Sequence, residues 1–304
     1  MEPFRVHILG CGSALPTLRH FSAMQVVELR GKQMMVDCGE GAQIQLRRHH
    51  VRFTRLNQVF ISHQHGDHCL GLVGMVSSFG LLDRTAPLHI YGPAPLGEWL
   101  RRSLQLFCPH LSYELCWHDV DPTQHQVIYE DRSLTVETLP LCHTVPACGF
   151  LFREKPTQPH IRPEMLRFYD IPLSQVYNIK AGKDMVTSEG EVIPATRLTT
   201  PADPPRSYAY CSDTCYQPHL HQLLQGVSTL YHEATYGEDR VGNARKYKHS
   251  TALQAASVAR DAHVGKLLLG HYSQRYEDET VLLDEARSVF PNTFLTQEMQ
   301  TIDV

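Results

Sequence analysis

The sequence contains no run of about eighteen apolar residues, so it offers no candidate transmembrane helix. Its opening, Met1-Glu2-Pro3-Phe4-Arg5-Val6, lacks the basic segment and apolar stretch of a secretory signal, and a cytoplasmic location is expected. No CxxC pair occurs among Cys11, Cys38, Cys69, Cys108, Cys116, Cys142, Cys148, Cys211 and Cys215. An odd count in a long chain suits a reducing compartment better than a disulfide framework. Cys211 and Cys215 form a CxxxC pair that reads as small packing residues. A net charge of −4 argues against nucleic-acid binding over the whole surface, while leaving room for a local basic patch. No repeat of fixed period occurs either.

What is present is an ordinary globular composition, 42% hydrophobic over 304 residues, with 19 histidines. Neutral imidazole is the commonest metal ligand, so that last number directs attention. Val6–Leu9, Val26–Leu29, Gln33–Val36, Gln58–Ser62, Leu88–Tyr91, Gln126–Tyr129, Leu134–Leu139, Ser207–Tyr210, Thr229–Tyr231 and Lys266–Leu269 read as strands. Helices are expected over Ala42–His50, Leu70–Leu82, Glu98–Phe107 and Ala252–Ala262. The alternation points to an α/β protein. Between Glu154 and Pro205, prolines 156, 159, 163, 172, 194, 201, 204 and 205 interrupt a polar stretch. Such a stretch is expected to bury little and to form an inserted arm within one domain spanning residues 1–304.

The sharpest signal is His63-Gln64-His65-Gly66-Asp67-His68, placed directly after an expected strand. Positions i and i+2 of an extended chain face the same way, so His63 and His65 can grip one cation. Gly66 permits the turn that brings Asp67 and His68 towards a second. Imidazole nitrogen and carboxylate oxygen are donors that zinc accepts. Buried together without a metal, these four residues would demand heavy desolvation. One loop cannot close two coordination spheres. Further ligands are expected just past other strand ends, at His143, Asp213 and His271.

The HxHxDH loop, with a later His, Asp and His each closing a strand, resembles the metallo-β-lactamase superfamily. Asp37-Cys38-Gly39-Glu40-Gly41, His232-Glu233-Ala234-Thr235 and His249-Ser250-Thr251 narrow the resemblance to ribonuclease Z in its short form. It runs from about Val6 to Arg275. It implies an αββα sandwich with an inserted flexible arm, and a zinc-dependent endoribonuclease that removes the 3′ trailer of precursor tRNA. It further implies one zinc on His63, His65 and His143, a second on Asp67, His68 and His271, and Asp213 bridging them. Two cations ~3.5–4 Å apart can generate hydroxide from water and clamp a phosphodiester. Asp67 is then expected to orient the attacking water, His249 to protonate the leaving 3′ oxygen, and Glu233 to hold His249. The products would be a tRNA 3′-hydroxyl and a trailer 5′-phosphate. A homodimer is implied by the family alone.

Lys246 and Lys248, beside His249, together with Arg275 in Tyr272-Ser273-Gln274-Arg275-Tyr276, are expected to touch RNA. The arm resembles the family's tRNA-gripping exosite, in which Ile179-Lys180-Ala181-Gly182 nominates Lys180. The family's Gly-Pro-rich tip is replaced by Leu173-Ser174-Gln175, and the loop Pro16–Ala23 is shorter than the family's and lacks its lysine. Arg47, Arg48, Arg52 and Arg55 form either a wet helix face or a strip of phosphate contacts. Rival readings are a phosphodiesterase for small esters, a di-iron redox protein and a non-catalytic RNA-binding scaffold. The arm disfavours the first, His65 in place of a carboxylate the second, and the intact ligand set the third.

Overall fold

The computed structural model describes residues 2–304, which divide into two compact units: residues 2–153 with 206–304, and residues 154–205. In the larger unit, β1 (Phe4–Gly10), β2 (Met24–Leu29) and β3 (Lys32–Val36) form an antiparallel meander. Their Val, Ile, Leu and Met residues are buried because both faces of the sheet are covered. Then come α1 (Ala42–Arg48), β4 (Leu56–Phe60), α2 (Gly66–Cys69), α3 (Gly71–Leu81), β5 (Leu88–Gly92), α4 (Ala94–Phe107) and β6 (Leu115–Asp119). Strands β3 to β6 pair in parallel, and the intervening helices make the crossovers that parallel pairing requires. The helix expected from Leu70 begins at Gly71, after a separate turn that carries Asp67 and His68.

A second sheet starts with β7 (Val127–Glu130), β8 (Leu134–Leu141) and β9 (Ala147–Glu154). The smaller unit follows, with β10 (His160–Ile161), α5 (Pro163–Phe168), α6 (Leu173–Lys180), β11 (Met185–Val186), β12 (Val192–Ile193), α7 (Ala195–Leu198) and β13 (Thr199–Thr200). Most of this segment is exposed or half-buried, as its composition leads one to expect. Its scattered apolar residues Ile171, Ile179, Met185, Ile193, Ala195 and Leu198 collect in one small core of their own. Gly182, at φ +87°, supplies the left-handed turn that ends α6.

The larger unit resumes with β14 (Ser207–Cys211), β15 (Thr229–Glu233), α8 (Val241–Tyr247), α9 (Ala252–Asp261), β16 (Lys266–Gly270), α10 (Thr280–Arg287), β17 (Thr293–Leu295) and β18 (Thr301–Asp303). The first sheet has the order β18-β1-β2-β3-β4-β5-β6 and the second β17-β16-β15-β14-β9-β8-β7. Between them lies an aromatic core: Phe60 of the first sheet meets Phe150 and Phe152 of the second at 5.5 and 5.7 Å between ring centres. Burying each such ring contributes about 1.5–3 kcal/mol. The outer face of the first sheet packs on Leu46, Val76, Phe79 and Leu100 from α1, α3 and α4. Ala255 and Ala259 of α9 and Leu282 of α10 join the core of the second. The result is a four-layer αββα sandwich. Because β14, β15 and β16 are parallel, Asp213, Glu233 and His271 all lie at one edge of their sheet.

Candidate metal centre

At that edge, seven side chains from distant parts of the sequence converge. His63, His65, His143 and Asp213 offer donor atoms within 4.8 Å of one another, and Asp67, His68 and His271 form a second such group. In the first group, His65 Nδ1 lies 3.1 Å from His63 Nε2 and 3.2 Å from His143 Nε2. Asp213 faces both groups. Its Oδ2 is 3.7 and 3.6 Å from the Nε2 atoms of His63 and His143, and its Oδ1 is 3.3 and 3.0 Å from those of His68 and His271. Asp67 Oδ2 is 3.4 Å from His68 Nε2 and 3.8 Å from His271 Nε2, and accepts a hydrogen bond from the Ala14 amide at 3.0 Å.

The inward-facing nitrogens are aimed by partners on the opposite side of each ring. His63 Nδ1 meets Ser62 Oγ at 2.9 Å, His68 Nδ1 meets Asp37 Oδ2 at 2.7 Å, and His143 Nδ1 meets the Lys248 carbonyl at 2.9 Å. His271 Nδ1 meets Thr235 Oγ1 at 2.9 Å. Such partners fix ring orientation and strengthen the opposite nitrogen as a ligand. Asp37 is the hub, since it also accepts from Ser62 N, Ser62 Oγ and Tyr210 OH at 2.8, 2.9 and 2.8 Å. The loops carrying these groups touch backbone to backbone. A Cβ on Gly39 would sit 2.4 Å from the Asp67 carbonyl, and one on Gly71 only 2.1 Å from the Gly39 carbonyl.

The electrostatics suit cations. Burial pushes His63, His65 and His143 below the usual imidazole range, so these rings stay neutral and ready to ligate. Burial opposes a charge on His68 too, but Asp213, Asp67 and Asp37 surround it and drive its affinity for a proton well up. Burial likewise works against charge on Asp67 and Asp213, yet the neighbouring imidazoles hold both well below the carboxylate range. Among the described residues, His68 Nε2 and His271 Nε2 are buried without a hydrogen-bond partner. Two orphaned nitrogens facing anionic oxygens are the donor set a divalent cation satisfies.

Beside this group, His249 Nδ1 lies 2.8 Å from Glu233 Oε1. Burial disfavours a charged His249, but the Glu233 carboxylate prevails and holds it up at about 9. Glu233 is anchored by Thr214 N at 2.9 Å and by Thr235 Oγ1 at 2.6 Å. His232, in the same signature, points elsewhere: it is buried, with Nδ1 on the Glu233 carbonyl at 2.7 Å. Thr251 closes His249-Ser250-Thr251 as the N-cap of α9, in a capping box with Gln254.

A cavity of about 330 Å³ exposes His65, Asp67, His143, Asp213, His249 and His271, with Arg275 at its wall. Lys246 is exposed, its ammonium 5.0 Å from the Tyr247 ring centre. Lys248 is exposed as well. Its Nζ donates to the His143 carbonyl at 3.0 Å while its own carbonyl holds the His143 ring, from a left-handed backbone position at φ +54°. Lys180 ends α6 in the smaller unit. Arg47 and Arg48 lean over the rings of Phe53 and Phe21 at 5.5 and 5.7 Å. Sequence reasoning missed the supporting roles of Asp37, Ser62 and Thr235. Only the signatures that contain Asp37 and Thr235 drew attention to them.

Residues 4–158 match the family of the Anti-Pycsar protein Apyc1. Over 298 residues the chain is 56% identical to a Bacteroides fragilis protein named ribonuclease Z, with 98% of each chain covered. Its fold is shared with human tRNase Z, short form (ELAC1), at TM-score 0.70 and 22% identity, covering 98% of both chains. The metallo-β-lactamase fold protein YhfI from Bacillus subtilis superposes at TM-score 0.69 and 18% identity, over 99% of this chain and 100% of that one.

Proposed function

The chain belongs to the ribonuclease Z family, and from that premise we propose that it is the endoribonuclease that removes the 3′ trailer from precursor tRNA. The observation that carries this reading is the convergence of seven His and Asp donors from both sheets beside the His249–Glu233 pair.

Metal use goes with the family, and His63, His65, His143 and Asp213 would hold one ion, with Asp213, Asp67, His68 and His271 holding another. We assign zinc on the chemistry of the donors, imidazole nitrogen with carboxylate oxygen and no thiolate. When bound, such a pair neutralises phosphate charge and makes water nucleophilic at neutral pH. The protein's own groups then supply geometry and protons. Asp67, fixed by the Ala14 amide, orients the attacking water and takes its proton. His249, kept cationic and aimed by Glu233, gives a proton to the departing 3′ oxygen. Arg275 at the cavity wall and the exposed Lys246 face the RNA backbone. The products are a tRNA with a 3′-hydroxyl and a trailer with a 5′-phosphate.

No helix among the described residues is long and apolar enough to cross a membrane. We place the enzyme in the cytoplasm, where its substrate is made. We further assign a homodimer in which residues 154–205 of one subunit, Lys180 included, help its partner grip tRNA.

The test is cleavage of a precursor tRNA by purified protein, with and without chelator. A metal-dependent cut after the discriminator nucleotide supports the assignment. Hydrolysis of small phosphodiesters with no cut in precursor tRNA would overturn it in favour of a small-ester enzyme.

A further inference from the structure

We propose a third cation site, separate from the centre just described, formed by Cys11, His20 and Glu298. These residues close the ends of one loop and bring in a side chain 287 positions away. Their donor atoms lie together: Cys11 Sγ is 3.3 Å from His20 Nδ1 and 3.5 Å from Glu298 Oε2, and those last two are 3.0 Å apart. These separations match the 3.0–3.8 Å spacings among the donors of the His/Asp centre.

The second observation is how the outward atoms are held. Glu298 Oε1 accepts from the Phe21 amide at 3.0 Å and the Cys11 amide at 3.4 Å, which leaves Oε2 facing inward. His20 Nε2 meets Glu279 Oε1 at 3.3 Å, and Arg19 pairs with that same oxygen at 3.1 Å. Glu298 and His20 therefore have the outer support that orients ligands in metal sites. The charges balance as well. A thiolate, a carboxylate and a neutral imidazole offset one divalent cation, with the Cys11 thiol proton and the proton between His20 Nδ1 and Glu298 both released to solvent on binding. Cys11 is fully buried, while His20 and Glu298 retain a little exposure. Thiolate with imidazole and carboxylate selects a zinc-type ion over magnesium or calcium.

The site would fasten the loop Cys11–His20 behind the catalytic edge. The Cys11 carbonyl accepts from Tyr272 N at 2.9 Å, Tyr272 follows His271, and Ala14 in the same loop holds Asp67. Its role is structural: it contributes no group to the cavity.

Cobalt(II) distinguishes this site from the other, because only here is a thiolate in the donor set. The protein is loaded with cobalt(II) until the visible bands of the His/Asp centre saturate, and the near-ultraviolet thiolate-to-cobalt charge-transfer band is then read. The expected result is one such band per chain, lost in Cys11→Ser and His20→Gln and kept in Cys215→Ser. Zinc content by elemental analysis falls by one equivalent per chain in Cys11→Ser. If Cys11→Ser does not fold, the wild-type band and His20→Gln decide. A saturated His/Asp centre with no charge-transfer band would overturn the proposal and leave the cluster a hydrogen-bonded ion pair. A band that survives in both variants would also overturn it. Neither result touches the tRNA assignment, which is read by cleavage.

Discussion

Glu233 presents one carboxylate oxygen to His249 at 2.8 Å and the other to Thr235, whose hydroxyl in turn meets His271 at 2.9 Å. One buried carboxylate thus supports the proton donor and, through Thr235, a metal-facing imidazole. The two substitutions are expected to differ in character. His249→Ala should lower kcat by ~10²–10⁴, the usual range for a lost proton-transfer group, with KM little changed. Glu233→Gln should lower kcat less and also loosen the metal. Single-turnover cleavage of precursor tRNA, run beside metal analysis, separates the two. Equal kcat values in wild type and His249→Ala would remove His249 from the reaction.

Asp37 touches neither cavity nor substrate, yet it aims His68 and ties down Ser62 and Tyr210. Asp37→Asn keeps the shape and weakens the hold on the imidazole. Metal affinity should fall ~10–100-fold, as for other supporting residues of metal sites. Competition against a chromogenic chelator measures this directly. An unchanged affinity would mean that His68 is aimed by packing alone.

Asp213 and His68 are buried in a centre where the carboxylates of Asp37, Asp67 and Asp213 face three imidazoles, His63, His65 and His143, that burial keeps neutral. Zinc should therefore stabilise the folded protein. The expected gain is about 2.7 kcal/mol at a free-ion concentration a hundredfold above Kd, seen as a rise in Tm that chelator reverses. Asp213→Ala should remove the share of that rise due to the His/Asp centre.

The neighbouring lysines should behave oppositely. Lys246 is exposed, so Lys246→Ala should weaken tRNA binding and reduce the slope of log K against log salt by ~1. Lys248 bonds the His143 carbonyl, so Lys248→Ala should change metal affinity more than the salt slope. Filter binding over a salt series, paired with metal titration, gives both numbers.

Asp131 sits in the turn between β7 and β8 and pairs with Lys32 at the start of β3, joining the two sheets. Burial raises its proton affinity, but Lys32, the amide and hydroxyl of Ser133, and Tyr129 outweigh this and hold it below the usual range. A folded value below the unfolded ~3.9 means that the stabilisation is complete above that pH and is lost as pH falls. Wild type should be more stable than Asp131→Asn at neutral pH, and the gap should start to narrow below about pH 5 and still be narrowing at about pH 3. Urea midpoints of both proteins across that range test it. A gap independent of pH would assign the effect to packing.

The sequence displays the metal-facing residues because each polar donor interrupts or ends an apolar run. Asp213 after Ser207–Cys211 and His271 after Lys266–Gly270 are visible for that reason, and the structure brings them to the His63–His68 loop. The parts that stayed hidden depend on separation in sequence. Asp37 supports a histidine 31 positions away, and the Lys248 carbonyl supports one 105 positions away, which no local pattern encodes. Strand β6, Leu-Cys-Trp-His-Asp, lacks a clean alternation and is recognisable only from its pairing with β5. The smaller unit's core escaped notice because its six residues are spaced through polar sequence.

His63, His65, Asp67 and His68 come from the first sheet, and His143, Asp213 and His271 from the second. The spacing of the two sheets is thereby also the spacing of the donors. Aromatic rings deep in the sandwich become remote determinants of ion affinity. Shrinking Phe150, which meets Phe60 well inside the protein, would be felt at the centre as a looser grip, although neither residue is among its donors.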